Sequence, residues 1–334
     1  MKPSIAITVG DYNGIGPEVA LRSALLPRIR RICTPILVGP LEAFAATARG
    51  LRMDIRFQSW PCQRRIPRRT LLILDVASPL PVSVVPGAVS ASAGAAAGKS
   101  IEAAVGLVRN GSAAAVVTAP VSKRALHLAG YDVPGQTEML QRLSRSRQVA
   151  MMLVSPTLRV GLVTIHLPLR DVPLALTPGL LRTRIRIIHD ALQWDWGIRR
   201  PRIAVLGLNP HAGEDGDLGT EEQRIIIPVV AAFRKKGMSL DGPFPADGFF
   251  ARYKPGIYDA VVAMYHDQGL IPLKMGGSGR SVNVSAGLPI VRTSPDHGTA
   301  FDIAGRGIAD HGSMVEAIRL AVSIARNRRQ RRLQ

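Results

Sequence analysis

The chain has 334 residues, of which 46% are hydrophobic, and it carries a formal net charge of +19. Its length exceeds the usual size of a single core, which favours two lobes, and no apolar stretch is long enough to span a bilayer, which argues against a membrane protein. The basic residues are dispersed along the sequence with few aromatic residues between them for base stacking, so nucleic acid is not an expected partner.

Two features of the sequence bear on the cellular compartment. The two cysteines, Cys33 and Cys62, are too few for a disulfide framework. The first residues enter a strand pattern at once and lack the basic region, apolar helix and cleavage site of a secretory signal. We therefore expect a cytoplasmic protein in a reducing environment.

Apolar runs and helical periodicities alternate along the chain. Strands are predicted at 4–9, 35–39, 70–76, 114–119, 149–155, 159–165, 202–208 and 259–265. Helices are predicted at 17–29, 94–109, 178–193, 220–236 and 312–326. This alternation predicts an α/β protein with mostly parallel sheets that are covered by helices on both faces. Residues 149–166 differ, because two strand patterns flank a short turn and predict an antiparallel hairpin.

Two glycine-rich segments resemble phosphate-binding loops. The segment GAAAGKS at 94–100 has only three residues between its glycines where a Walker loop has four, and no clear strand precedes it, so we predict a helix. The segment GDYNGIGPE at 10–18 follows a strand and opens a helix, so its backbone amides can line a cleft. A tight strand-to-helix turn explains the second segment equally well.

Three histidines each stand just past a strand pattern: His166 after LVTI, His211 after AVLGLNP and His266 after VVAMY. Ligands of open α/β sheets gather beyond the carboxyl ends of the strands, so we expect these imidazoles to converge. Three neutral imidazoles suit one divalent metal ion with open coordination positions. A single histidine in such a place is more often a loop residue, and it is the repetition that favours a metal site. His127 and His189 lie on predicted helices and are expected to be structural.

The region from 264 to 310 is dense in polar residues and glycine, which favours loops. Lys274 supplies a mobile positive charge, Arg292 suits a bidentate contact to carboxylate or phosphate, and Asn283 both donates and accepts hydrogen bonds. Together they predict an anion pocket. The alternative makes Lys274 and Arg292 partners in surface ion pairs.

Seven segments carry a family resemblance: GDYNGIGPE, VTAPVSK, PGQTEML, LVTIHLPLRDVP, GLNPHAGEDG, MYHDQGLIPLK and RTSPDHGTAFDIAGRGIAD. In this order, through almost the whole chain, the sequence resembles the 4-hydroxythreonine-4-phosphate dehydrogenase family of the pyridoxine pathway. The resemblance implies two α/β/α lobes around a central cleft, a fold like that of isocitrate and isopropylmalate dehydrogenases, and a homodimer with each active site at the subunit interface. We expect the cofactor-side lobe at 1–120 plus 290–334, and the metal, substrate and dimer side at 121–289.

The resemblance also implies roles for individual residues. The family's metal ligands fall on His166, His211 and His266, and its substrate-binding positions fall on Gln136, Thr137, Lys274, Asn283 and Arg292. The cofactor loop resembles that of the isopropylmalate dehydrogenase group and falls on His297, Gly298 and Thr299. Asp310 stands where those relatives often have asparagine, so the choice between NAD and NADP stays open.

The implied activity is the oxidative decarboxylation of a small phosphorylated hydroxy acid, 4-phosphooxy-L-threonine, to 3-amino-2-oxopropyl phosphate. NAD or NADP accepts the hydride, and one divalent metal ion, zinc, cobalt or magnesium, assists. The candidate catalytic residues are Asp247, Asp267 and Lys274. Since Asp267 adjoins a metal ligand, orientation of that ligand is its favoured role.

The chain departs from the family at Gln136, where a histidine is usual, and at Tyr12 and Asn13, which replace Pro-Ala. A glutamine that faces the substrate phosphate donates a neutral hydrogen bond in place of a cationic one, which costs about 1–2 kcal/mol, or roughly tenfold in affinity. D-threonate or D-erythronate 4-phosphate is therefore the alternative substrate. A basic binding protein that retains an inactive enzyme fold is the non-enzymatic alternative.

Overall fold

The computed structural model describes residues 2–62, 66–276 and 279–331, and they form two compact units. Unit 1 comprises the residues up to Arg147 and Leu288–Arg326, and unit 2 comprises Gln148–Gly287 and the residues from Asn327 onward. Residues 121–147 thus belong to unit 1, whereas the sequence placed them in the second lobe. The reason is packing, because the helix at Lys123–Leu128 lies against the long helix at Ala91–Arg109 of unit 1.

Strands and helices alternate along the described chain. The strands are β1 (Ser4–Thr8), β2 (Thr34–Gly39), β3 (Arg56–Ser59), β4 (Thr70–Asp75), β5 (Ala115–Val117), β6 (Ala150–Val154), β7 (Arg159–Leu162), β8 (Arg202–Leu206), β9 (Ser239–Phe244), β10 (Ala260–Ala263), β11 (Val282–Ala286) and β12 (Arg292–Pro295). The helices are α1 (Gly16–Leu25), α2 (Pro27–Ile32), α3 (Leu41–Gly50), α4 (Ala91–Arg109), α5 (Lys123–Leu128), α6 (Gln136–Leu143), α7 (Val172–Ala175), α8 (Pro178–Trp194), α9 (Ile227–Arg234), α10 (Ala246–Ala251), α11 (His266–Gly276) and α12 (Gly312–Arg331).

Unit 1 is built on a parallel sheet in the order β3-β4-β2-β1-β5-β12. Its strands read as apolar runs because helices cover the sheet. On one face Ala6, Ile36 and Val116 pack against Ala104 and Leu107 of α4, all of them buried. This arrangement places the carboxyl ends of β1, β5 and β12 at one edge of the sheet.

Unit 2 has a mixed sheet in the order β11-β6-β7-β10-β8-β9. Strand β6 is antiparallel to both β11 and β7, and the pairs β7-β10, β10-β8 and β8-β9 are parallel. The predicted hairpin at 149–166 is therefore confirmed. The predicted class, α/β with mostly parallel sheets, is confirmed as well. Within the described ranges, no helix combines the length and the apolar character needed to cross a membrane.

The glycines of the segment GAAAGKS lie inside α4, as predicted. A Cβ atom on Gly94 would lie 1.9 Å from the carbonyl oxygen of Ala125, and one on Gly98 would lie 2.1 Å from the ring of Tyr131. These glycines are needed because α5 and Tyr131 approach the helix closely, and a phosphate is not required to explain them.

The predicted helices differ from the observed ones where proline or backbone irregularity intervenes. The helix predicted at 17–29 is divided at Leu26, whose ψ is 128°, because a residue that precedes a proline avoids the helical region. The helix predicted at 220–236 begins with a π turn at Glu222–Ile226, which leads into α9.

Candidate active site

The three predicted metal ligands follow three neighbouring parallel strands of unit 2. His166 follows β7, His266 follows β10 and opens α11, and His211 follows β8. Since these strands run in the same direction, all three histidines leave the sheet at the same edge. The predicted placement of the histidines beyond strand ends thus agrees with the fold.

Side chains that the sequence did not single out connect these strand ends to one another. Thr164 Oγ1 donates to the carbonyl oxygen of Met264 at 2.7 Å, which joins the end of β7 to that of β10. Gln268 accepts from Met264 N at 2.7 Å and donates to the carbonyl oxygen of Gly207 at 2.6 Å, which joins β10 to β8. The three histidine loops are therefore held by buried hydrogen bonds.

The loop that carries His211 has an unusual backbone. Five consecutive residues, His211–Asp215, have φ between 43° and 85°. The left-handed region costs about 1–2 kcal/mol for each residue other than glycine, so neighbouring contacts must stabilise this loop. Glu222 does so, because its buried carboxylate accepts hydrogen bonds from Leu208 N at 2.6 Å and from Asn209 N at 2.8 Å.

The imidazoles have the hydrogen-bond partners that are typical of metal ligands. His266 Nδ1 lies 2.7 Å from a carboxylate oxygen of Asp267, and His211 Nδ1 lies 2.8 Å from one of Glu214. A carboxylate on one ring nitrogen orients the imidazole and leaves Nε2 for a metal ion. The hydrogen bond to Glu214 also raises the pKa of His211. The donor chemistry therefore fits a divalent ion.

Two of the three predicted metal ligands have rings that lie side by side. The rings of His166 and His266 are adjacent, with centroids 5.8 Å apart. The part of the chain that the structure describes contains no group of three or more His, Cys, Asp and Glu side chains that are placed to hold a metal ion. The structure thus brings His166 and His266 together and leaves His211 outside that pair.

The three candidate catalytic residues have different surroundings. Asp267 is engaged by His266. Asp247 lies in the first turn of α10, and its charge contributes to the raised pKa of His211. Lys274 is exposed on α11. The expectation that residues 266–276 form a loop is wrong, since they form α11, where Gly269 allows the helix to approach Val160 of β7.

In unit 1, Arg292 lies at the centre of a buried network. Its side chain donates to Thr118 Oγ1 from Nε at 3.1 Å and from Nη2 at 2.8 Å, and to Gln136 Oε1 from Nη2 at 2.7 Å. Burial lowers the pKa of Arg292 to about 10, so the guanidinium is still charged at neutral pH. Thr118 and Gln136 are neutral acceptors, whereas the charge of Glu138 opposes the effect of burial and raises the pKa of Arg292. The surface ion pair that was the alternative for Arg292 is therefore wrong.

The amide of Gln136 is engaged by the protein itself. Its Oε1 accepts from Thr118 at 2.8 Å and from Arg292, and its Nε2 donates to the carbonyl oxygen of Ala119 at 2.9 Å. The neighbouring Thr137 is buried in the first turn of α6. We expected Gln136 to donate to a substrate phosphate, whereas the structure directs its carbonyl oxygen to Arg292.

The predicted cofactor loop packs against the glycine segment that follows β1. Ile15 N donates to the carbonyl oxygen of Thr299 at 2.9 Å, and a Cβ atom on Gly14 would lie 2.6 Å from that oxygen. His297 Nδ1 contacts the carbonyl oxygen of the exposed Gly298 at 3.1 Å, and its Nε2 is buried without a hydrogen-bond partner. In unit 2, Asn283 Oδ1 is also buried without one. Such atoms are suited to bind a ligand.

Tyr12, Asn13 and Asp310, which the resemblance implied to differ from related sequences, have structural contacts in unit 1. Tyr12 is fully buried and donates to Ser92 Oγ at 2.8 Å. Asn13 accepts from Val85 N and donates to the carbonyl oxygen of Ala88, both at 2.8 Å. The carboxylate of Asp310 accepts from the backbone N of residue 312 at 2.8 Å, at the start of α12. These side chains stabilise loops and a helix end.

A mostly parallel α/β fold with titratable side chains gathered beyond the strand ends defines an α/β enzyme. The model of the family described as pyridoxal phosphate biosynthetic protein PdxA matches residues 31–321. The chain belongs to this family, and it is a PdxA-family dehydrogenase.

Individual relatives carry two different substrate names. The chain is 45% identical to the D-threonate 4-phosphate dehydrogenase of Cupriavidus necator, over 98% of each chain. It is 43% identical to the 4-hydroxythreonine-4-phosphate dehydrogenase of Trichlorobacter lovleyi, over 98% of this chain and 99% of that one. The crystal structure of the 4-hydroxythreonine-4-phosphate dehydrogenase of Klebsiella pneumoniae matches with a TM-score of 0.87 at 41% identity, over 97% of this chain and 98% of that one.

Proposed function

We propose that the protein oxidises and decarboxylates 4-phosphooxy-L-threonine to 3-amino-2-oxopropyl phosphate, with NAD or NADP and a divalent metal ion, in pyridoxal 5'-phosphate biosynthesis. The observation that carries this proposal is the adjacent pair of His166 and His266 beyond parallel strands, with Asp267 on the second imidazole. The family membership and the relative named 4-hydroxythreonine-4-phosphate dehydrogenase support the same reaction.

In this proposal His166, His211 and His266 hold the metal ion. When bound, a divalent ion would supply Lewis-acid chemistry, which would lower the pKa of the substrate hydroxyl and stabilise negative charge during decarboxylation. Glu214 and Asp267 accept from Nδ1 of two of these histidines and so fix the orientation of the rings.

The substrate phosphate and the other polar groups bind to Arg292, Lys274, Asn283 and Thr137. Arg292 supplies a desolvated positive charge, which strengthens charge-assisted hydrogen bonds to an anion. Asn283 has a buried oxygen without a partner that can accept from a substrate donor. Gln136 acts indirectly, because its amide oxygen accepts from Arg292.

The dinucleotide binds beside the loop of His297, Gly298 and Thr299. The cofactor held there would supply the hydride acceptor for oxidation of the substrate. His297 Nε2 is buried without a partner, so it is suited to accept a hydrogen bond from the cofactor. Since Asp267 is engaged by His266, either Asp247 or the neutral amine form of Lys274 takes the hydroxyl proton.

The proposal includes a homodimer with the active site at the subunit interface. Within one chain, the described residues do not gather three metal ligands. A second subunit that supplies the missing histidine ligand accounts for this observation. The measurement that checks the point is the mass of the protein in solution, combined with recovery of activity when two inactive histidine variants are mixed.

A second candidate substrate is D-threonate 4-phosphate, which carries a hydroxyl group where 4-phosphooxy-L-threonine carries an amine. The relative from Cupriavidus necator, 45% identical, bears that substrate in its name. D-Erythronate 4-phosphate belongs to the same chemical class. Because all three substrates share the terminal phosphate, Arg292 serves each of them, and turnover must distinguish between them.

The experiment is NADH or NADPH formation by metal-replete protein with each of the three substrates. The proposal predicts the highest kcat/KM for 4-phosphooxy-L-threonine, with carbon dioxide released in proportion to the reduced cofactor. Preference for D-threonate 4-phosphate assigns the second candidate. Absence of turnover with all three, at saturating metal and cofactor, contradicts both.

A further inference from the structure

Thr118 is a buried threonine whose hydroxyl group touches both polar side chains of the Arg292 network. It directly follows β5, and its side chain is fully buried. Its backbone N donates to the carbonyl oxygen of Thr293 at 3.0 Å, next to Arg292 in β12. The pairing of β5 with β12 therefore fixes both the Thr118 hydroxyl and Arg292.

The hydroxyl group of Thr118 has one hydrogen and two lone pairs. The hydrogen is donated to Gln136 Oε1 at 2.8 Å, and the oxygen accepts from Nε and Nη2 of Arg292. Because both of these nitrogens lie on one edge of the planar guanidinium, Thr118 fixes the rotation of the whole group. A valine has the same shape but neither donates nor accepts at this point.

We propose that Thr118 is a positioning residue of the anion site, which holds the Arg292 guanidinium in the orientation that binds the terminal phosphate of the substrate. The inference rests on the proposed role of Arg292 in binding that phosphate. Gln136 completes the arrangement, since its carbonyl oxygen accepts from both Thr118 and Arg292, and Ala119 fixes its amide group. A guanidinium whose rotation is fixed in this way is suited to charge-assisted hydrogen bonds with a phosphate.

The test compares Thr118→Val with Thr118→Ser in the metal-replete enzyme. We expect Thr118→Val to raise the KM for the phosphorylated substrate about tenfold, the loss expected for one misplaced charge-assisted bond. The inhibition constant of inorganic phosphate should rise by the same factor, whereas kcat and the KM for the nicotinamide cofactor change less than about twofold. Thr118→Ser restores the hydroxyl group and should return both constants to near the original values.

A matched control is Thr293→Val. Thr293 is equally buried, and its hydroxyl donates to the carbonyl oxygen of Ala317. Successive side chains of a strand point to opposite faces, so this hydroxyl lies away from Arg292. If Thr293→Val raises the substrate KM and the phosphate inhibition constant as much as Thr118→Val does, the role of Thr118 is only structural and the inference is wrong.

A readout without turnover separates this inference from the proposed function. Inorganic phosphate should raise the melting temperature of the original protein and of Thr118→Ser, but much less that of Thr118→Val. If the enzyme turns over none of the substrates and still shows this pattern, the proposed function fails and the positioning role stands. If turnover occurs and Thr118→Val alters neither KM nor the phosphate effect, the inference fails alone.

Discussion

The Arg292 network of unit 1, formed by Arg292, Thr118 and Gln136, differs from the histidine loops of unit 2 in burial and in the charge of its hydrogen-bond partners. Arg292 is buried, and its hydrogen bonds to Thr118 and Gln136 orient the guanidinium without a ligand. His211 and His266 are more exposed, each contacts a carboxylate, and His211 lies in a left-handed loop. The Arg292 guanidinium is therefore oriented by side chains of its own chain, whereas in the proposed site the histidines also depend on a metal ion.

The sharpest test of this contrast is removal of His266. We expect His266→Ala to lower turnover at least about a thousandfold, because the metal loses a ligand. Asp267→Asn keeps the ligand but changes its hydrogen bond, so the metal affinity should fall roughly 10–100-fold while saturating metal restores much of the turnover. Metal content and metal-dependent kinetics measure both effects.

His127→Gln is the matched control for these histidine variants. His127 Nε2 contacts the carbonyl oxygen of Val133 at 2.8 Å, and a glutamine amide can keep that bond. Turnover and metal content close to those of the original protein are expected. Equal losses in His127→Gln and His266→Ala would show that the histidine pair has no special part in metal binding.

Replacement of Arg292 tests the proposed anion site of unit 1. Arg292→Met removes the desolvated charge that is proposed to bind the phosphate, so we expect the substrate KM to rise about a hundredfold with the metal affinity unchanged. Folding should be largely retained, since methionine fills the volume and the burial cost of the guanidinium disappears. Arg159→Met, which removes another part-buried arginine, is the control and should leave the substrate KM near its original value.

Replacement of Glu222, which stabilises the left-handed loop at His211–Asp215, should have a smaller effect than removal of a metal ligand. Glu222→Gln keeps an oxygen for Leu208 N and Asn209 N but removes the charge that strengthens both bonds, and its NH2 group replaces Oε2, which accepts from Asn209 Nδ2 at 3.0 Å. We therefore expect a loss of about 2–3 kcal/mol in the free energy of unfolding. Activity should fall together with it, because His211 loses its support. Glu221→Gln is the control, since Glu221 accepts from only the side-chain nitrogen of Asn209. Denaturant unfolding that gives equal losses for both variants would refute the special role of Glu222.

The smallest expected effect concerns Asp11, which lies in the loop after β1 of unit 1. Burial raises the pKa of Asp11 from 3.8 to about 6, and its Oδ2 has no hydrogen-bond partner. A carboxyl group whose pKa is raised by folding stabilises the protein while it is protonated, and this contribution is lost as the pH rises from about 4 through 6. Asp11→Asn should therefore raise the free energy of unfolding by about 2 kcal/mol at pH 8 and change it little below about pH 4.

Melting temperature as a function of pH checks this prediction. Asp54→Asn is the control, because Asp54 is exposed and paired with Arg69 at the surface. Its effect should be small at every pH. A stabilisation by Asp11→Asn that is independent of pH would mean that loss of the buried charge is not its cause.

Strong local patterns made much of the fold predictable. Every strand predicted from an apolar run is present, because buried parallel strands are nearly continuous in hydrophobic residues. Strands β3, β9, β11 and β12 were missed, since polar residues such as Arg56, Asp241, Asn283 and Arg292 interrupt their apolar pattern. Helix α11 was missed because Gly269 and Pro272 are ordinarily signals of a loop.

The candidate site was predictable in part for the same reason. Histidines after strands are visible in a sequence, whereas the contacts that orient them depend on tertiary structure. Thr118 could not be singled out, because a threonine at a strand end acquires its role only when β12 places Arg292 beside it. The role of Glu222 was likewise not predictable, because its carboxylate meets the loop before His211 only in the folded protein.

In the proposed site, Arg292 binds the substrate phosphate independently of the metal ion. The most direct measurement is calorimetric titration of the preferred phosphorylated substrate into chelator-treated and metal-replete protein, each as the original chain and as Arg292→Met. We expect metal-free protein to bind the substrate without turnover, and we expect Arg292→Met to abolish this binding. Loss of all binding on chelation, with normal binding by metal-replete Arg292→Met, would contradict it.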